Sequence, residues 1–123
     1  MSKIPKIKWL VEPEDHNYPA ALSYLSLIYN DDTATEYEYS LRHAPMTEFK
    51  AKDIFRASRL SLLGNNNSHI EKNKKKINEG DELSPLLLIR DEVNGKVVIA
   101  DGYHRLCAVY LYNEDAIIPC KIV

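Results

Sequence analysis

The sequence predicts an α/β protein, α+β by strict usage: a small mixed β-sheet flanked by helices. Three observations carry this. Pro85-Leu86-Leu87-Leu88-Ile89 is a continuous apolar run, the pattern of a strand buried on both faces. A second run, Lys96-Val97-Val98-Ile99-Ala100, follows across Asn94-Gly95, a turn dipeptide that pairs the two as a hairpin. Elsewhere the apolar residues recur at helical spacing, most clearly at Ala21, Leu22, Leu25, Ile28 and Tyr29. The chain has 123 residues, the size of one domain.

Taken in order, Lys3 to Val11 carries strand-type residues around Trp9 and breaks at Glu12-Pro13-Glu14-Asp15. Asp15 or Asn17 can cap the helix that follows, and Pro19 suits its first turn. Asn30-Asp31-Asp32 ends that helix, and Thr33 is the expected cap of a second one, which runs to His43 before Pro45. Met46 to Ala51 reads as a short strand, and Asp53 to Arg59 as a short helix. Gly64-Asn65-Asn66-Asn67-Ser68 reads as a loop, with Ser68 capping a helix through Asn78 that Gly80 stops. In that helix Ile70 and Ile77 form a narrow inward stripe. After the hairpin, Tyr103 to Tyr112 forms the last helix, and Asn113-Glu114-Asp115 closes it. Ile117 to Val123 forms a terminal strand, and its Pro119 suggests an edge strand or the first residues of a strand.

Composition excludes several classes. Hydrophobic residues make up 45% and charged residues 28%, a globular balance that argues against disorder. A net charge of −2 gives no overall attraction to nucleic acid, so any such binding needs a local patch. The two cysteines, Cys107 and Cys120, are too few for a disulfide framework and lack metal-type spacing; two reduced thiols are expected. No stretch has the length of a membrane span, so a soluble, cytoplasmic protein without a membrane partner is expected.

The chemistry concentrates at Ile99-Ala100-Asp101-Gly102-Tyr103-His104-Arg105, where a buried strand turns into a helix. The first turn of a helix has free N–H groups and the positive end of the dipole. A glycine there lets a ligand approach the backbone, and arginine can grip two phosphate oxygens at once. These residues therefore predict an anion site. The structural alternative makes Asp101 a plain N-cap and pairs Arg105 with Glu114 or Asp115.

The strings SPLLLIRD, VVIADGYHRLCAVYL and IPCKIV together resemble the ParB/sulfiredoxin-like superfamily, from about Thr47 onward. The resemblance implies a single domain over 1–123, with a helical extension (1–45) preceding a core (46–123). It also implies nucleotide-phosphate binding at Gly102, Tyr103, His104 and Arg105, with ATP, ADP or CTP and Mg²⁺ as the cofactors. Tyr103 stands where sulfiredoxins carry their attacking cysteine and ParB proteins a glutamate. Cys107, one helical turn later, does not replace it. The Asp101-Gly102 start is similar to a branch that phosphorylates a small hydroxyl, in which a carboxylate from the early core acts as base. Glu48, Asp53 and Asp101 are the candidates for such a role, and Lys50, Lys52, Arg56 and Ser58 could contact phosphate or substrate.

Two further groups are weighed. Lys72, Lys74, Lys75 and Lys76 could touch phosphates or form a solvated helix face. Glu12, Glu14, Asp15 and His16 could hold Mg²⁺ or serve helix capping. Two functions follow: a small phosphotransferase or nucleotide hydrolase, with a carboxylate poised at the phosphate, or a non-catalytic regulatory or DNA-associated binding module. The partner is a nucleotide or phosphorylated small molecule in the first case. Residues 1–45 could cover the site as a lid or form a dimer surface.

Overall fold

The computed structural model describes residues 6–62 and 67–123. Its elements are β1 (Lys8–Trp9), α1 (Asn17–Ile28), α2 (Asp31–His43), β2 (Thr47–Lys50), α3 (Ala51–Ser58), α4 (Ser68–Glu79), β3 (Glu82–Leu83), β4 (Leu86–Asp91), β5 (Lys96–Asp101), α5 (Tyr103–Tyr112) and β6 (Ile117–Ile122). This is an α+β fold with two sheets. β2, β6, β4 and β5 lie side by side in that order, and β1 pairs with β3 in a second, two-stranded parallel sheet. β4 and β6 are parallel, while β2–β6 and β4–β5 are antiparallel.

The apolar run of β4 is buried on both faces, which is why it does not alternate with polar residues. Leu86 and Leu88 enter a core with Ile54 of α3, Ile70 and Ile77 of α4, and Leu106 and Val109 of α5. Leu87 and Ile89 enter the opposite core with Tyr18, Ala21 and Leu25 of α1 and Ala34 and Leu41 of α2. Helices thus cover both faces, and the segment up to residue 45 supplies one of the two layers. Opposite Leu87 and Leu88 the register shifts: Leu88 pairs with Ile99 and Leu87 with Asp101, which leaves Ala100 as an extra residue in β5. Such a bulge bends a strand and re-aims its end. Here it lies immediately before Asp101-Gly102.

Several local expectations are corrected. Asn30, not Thr33, caps α2: its side chain accepts the Thr33 N–H at 2.8 Å. Asn67, not Ser68, caps α4, accepting from the N–H groups of His69 and Ile70. Neither Asp15 nor Asn17 caps α1. The Asn17 Nδ2 group donates instead to the Ser84 hydroxyl, which also accepts the Glu14 N–H at 3.0 Å. The turn between β4 and β5 spans four residues, Glu92 to Gly95, with Gly95 at φ 63°. The loop expected over Gly64–Asn66 and the strand residues from Lys3 lie outside the described residues.

Pro119 is not on an edge, because β6 lies between β2 and β4. It is accommodated because β6 pairs with β4 only from Cys120 onward. The Val123 N–H donates toward β4, to Leu88 O. Strand alternation puts the Pro119 nitrogen, four residues earlier, on that same side, before β4 begins. No ladder hydrogen bond is lost.

Candidate anion-binding site

The bulge and the glycine turn deliver α5 end-on to a cleft. Gly102 has φ 111°, and it is the residue preceding the helix, so no side chain caps α5. A Cβ added there would stand 2.8 Å from Leu86 Cγ, so both backbone and space require glycine. Leu106 N–H already bonds Gly102 O. The N–H groups of the first turn before it belong to Tyr103, His104 and Arg105, the orphan donors of a helix start.

The opposite wall of the cleft is α4. A cleft of about 220 Å³ is lined by His69, Lys72, Asn73 and Lys76 from α4 and by Asp101 to Arg105 from the turn. Positions 69, 72, 73 and 76 follow the i, i+3, i+4, i+7 rule, so one helical face carries all four. Ile70 and Ile77, on another face of the same helix, are buried in the core and hold α4 against α5. The four lysines therefore divide. Lys72 and Lys76 line the cleft. Lys75 approaches Glu79 at 4.0 Å, and the Lys74 ammonium lies 5.7 Å from the Tyr112 ring centre.

Arg105 is held by its own turn. Its Nη2 lies 2.9 Å from Asp101 Oδ2 and 3.4 Å from the Pro85 carbonyl oxygen. Both side chains of the pair are more than four-fifths buried, at 17% and 18% exposed. Nε is buried without a hydrogen-bond partner among the described residues. Arg105 thus pairs with Asp101 and not, as in the structural alternative, with Glu114 or Asp115. Asp115 instead binds Lys52 at 2.7 Å, which holds its carboxyl below the usual range and raises the Lys52 pKa. Asp101 is likewise no side-chain cap; it is the last residue of β5, and its carboxylate faces Arg105.

His104 and His69 bring their rings together across the cleft, with centroids 4.6 Å apart. Burial lowers the His104 pKa, and the neighbouring His69 and Arg105 lower it further. Tyr103 turns its hydroxyl to the Ser61 carbonyl, to which it donates a hydrogen bond. Burial and the adjacent Cys107 push its pKa up to about 12. The hydroxyl therefore stays protonated and ties the segment after α3 to the base of α5.

Of the nine residues lining the cleft, Asp101 is the one carboxylate. Glu48 lies exposed on β2 opposite Pro119, and Asp53 lines a separate cavity with Phe49, Ile54, Leu88 and Arg90. The structure does not bring either to the turn. Among the cleft's lining residues none comes from residues 6–45; α1 packs on the opposite sheet face, so it is no lid over this site. Glu14 and His16 approach each other at 3.9 Å in an exposed position. No group of three or more His, Cys, Asp or Glu residues suited to a metal ion occurs among the described residues. No described helix is long and apolar enough to cross a membrane.

The sequence pointed to the α5 turn and named Lys72 and Lys76 among four lysines that could touch phosphates, but it did not set them opposite the turn or name His69 and Asn73. His69 and Asn73 carried no signal on their own. The signal that could have found them is the helical spacing they share with Lys72 and Lys76. Comparison of the chain with protein-family models, with curated proteins and with solved structures returns no match.

Proposed function

We propose that the protein binds the phosphate groups of a nucleotide or phosphorylated small molecule in the cleft between α4 and the start of α5. One observation carries this reading. Three cations, Lys72, Lys76 and Arg105, line with an uncapped helix N-terminus a cleft that holds a single carboxylate. Free N–H groups and the helix dipole favour an anion, and Lys and Arg supply charge-assisted hydrogen bonds to it. The cleft is smaller than the ~300–1,000 Å³ typical of pockets that enclose a whole ligand. It suits the phosphate part, with the rest of the ligand outside. The strand, glycine turn and helix at Ile99–Arg105 also support kinship with the ParB/sulfiredoxin-like superfamily.

A binding role is favoured over phosphoryl transfer by the state of Asp101. A catalytic carboxylate must be able to accept a proton from the attacking group. Asp101 is turned to Arg105 at 2.9 Å, and Glu48 and Asp53 lie outside the cleft. Mg²⁺ would arrive with a nucleotide's phosphates and would not need a protein cage.

The test is a thermal-shift panel of ATP, ADP, CTP and GTP, with and without Mg²⁺. A bound ligand raises the melting temperature by mass action. Lys72→Ala should reduce the shift, as a roughly tenfold loss of affinity does. If no nucleotide moves the melting temperature of the native protein, the reading fails. A gel shift with DNA that holds at moderate salt would favour the DNA-associated alternative instead.

A further inference from the structure

We infer that the ligand of this cleft is a condensed phosphate chain, a diphosphate or longer, recognised through the chain itself and not through a base. The inference rests on the phosphate reading above and narrows it. Its first support is the shape of the cationic wall. His69 to Lys76 spans two turns of α4, about 10 Å along the helix axis. Lys72 and Lys76 stand one turn apart on that wall, and Arg105 and the α5 N–H groups face it from the other side. The donors thus form a row. A row matches several linked phosphoryl groups better than one tetrahedral ion.

The second support is size. The cleft of about 220 Å³ equals roughly seven water volumes at ~30 Å³ each. An orthophosphate would leave much of that space to water, and a diphosphate or triphosphate would occupy more of it. The third is the character of the lining. Lys72, Asn73, Lys76, Asp101 and Arg105 are polar, and no aliphatic side chain lines the cleft. The two imidazoles lie against each other, and the Tyr103 hydroxyl is tied to Ser61. A base would find no apolar slot there. Asp101, at the end of β5, already faces Arg105, so among the lining residues the charge left for a ligand rests on Lys72 and Lys76, with Arg105 partly offset.

The experiment is isothermal titration of the full chain with orthophosphate, pyrophosphate, tripolyphosphate and ATP. Ionic strength is matched, because exposed lysines are sensitive to screening. The expected result is that pyrophosphate and tripolyphosphate bind about tenfold or more tighter than orthophosphate, the scale of one added charge-assisted contact. Lys76→Ala should then cost the chain ligands about tenfold and change orthophosphate little. Lys76 is exposed, so the variant should keep the native melting temperature, which is measured alongside. If orthophosphate binds as tightly as pyrophosphate, the chain proposal is overturned and the phosphate reading survives. The same holds if ATP binds and tripolyphosphate does not, since recognition then needs the base. If none of the four binds, both fall.

Discussion

Gly102 sits against Leu86 so closely that a single added methyl would stand 2.8 Å from Leu86 Cγ. Leu86 is fully buried, on the strand that fills both cores. The residue that shapes the candidate anion site is therefore also set by the packing of the sheet. Gly102→Ala should cost about 2–5 kcal/mol. The left-handed backbone contributes roughly 1–2 kcal/mol and overpacking against Leu86 about 1–3 kcal/mol. Denaturant unfolding measures it. A loss below ~1 kcal/mol would mean that the turn relaxes freely, contrary to the geometry.

Asp101 and Arg105 pull the site in two directions. The pair orients the guanidinium, yet its carboxylate opposes an incoming anion. Asp101→Asn keeps the shape and removes the charge. The expected outcome is a stability loss of about 1 kcal/mol, the scale of a pair not fully removed from water. Phosphate affinity should rise several-fold, an electrostatic gain of about 1 kcal/mol. Titration calorimetry decides. A large fall in affinity at unchanged melting temperature would mean that orienting Arg105 outweighs the repulsion.

His104 makes stability depend on pH in a definite direction. Its pKa is lowered in the folded protein, first by burial and then by His69 and Arg105. The unfolded chain therefore takes up a proton at higher pH than the folded one. The contribution is present above the unfolded histidine value of about 6.5 and is lost as pH falls below it. The melting temperature of the ligand-free protein should drop between pH 7.5 and pH 5.5, and His104→Gln should flatten that slope. Pyrophosphate should oppose the drop, because an anion beside the ring favours imidazolium. A slope that His104→Gln leaves unchanged would assign it to other groups.

Neither thiol should react in the native state. Cys107 and Cys120 are both fully buried and free. Burial, with Glu48 nearby, pushes the Cys120 pKa up to about 12, so thiolate is scarce at neutral pH. Titration with a chromogenic disulfide at pH 8 should register both thiols only after denaturant is added. One rapid equivalent without denaturant would point to an opening of the core around α5 or β6.

What was legible in the sequence follows where local rules act alone. The apolar run of β4, the α5 turn and the glycine stop of α4 are fixed by residues next to one another, and they formed as expected. Caps moved by one to three residues because α2 and α4 start earlier than expected, at Asp31 and Ser68, where Asn30 and Asn67 are placed to accept the first free N–H groups. Pro119 entered an interior strand because the register with β4 starts one residue later, which no local pattern reveals. Which of the four lysines of α4 face the turn, with His69 and Asn73, was hidden for a related reason. It depends on which face of α4 the two isoleucines bury, and so on tertiary packing.

The α4 wall gives the sharpest contrast among variants. Lys72 and Lys75 are three residues apart on one helix and both exposed, yet only Lys72 lines the cleft. Lys75 approaches Glu79 at 4.0 Å instead. If the lysines acted as a diffuse positive face, the two alanine substitutions would weaken anion binding alike, and about equally at every salt concentration. If the cleft is the site, Lys72→Ala should cost about tenfold in pyrophosphate affinity, the loss of one charge-assisted contact. Lys75→Ala should cost less than about twofold, an exposed charge acting through solvent. Raising the salt should shrink the small Lys75 effect first, because it acts over a longer distance. Equal losses for the two variants would return α4 to the status of a solvated charged helix.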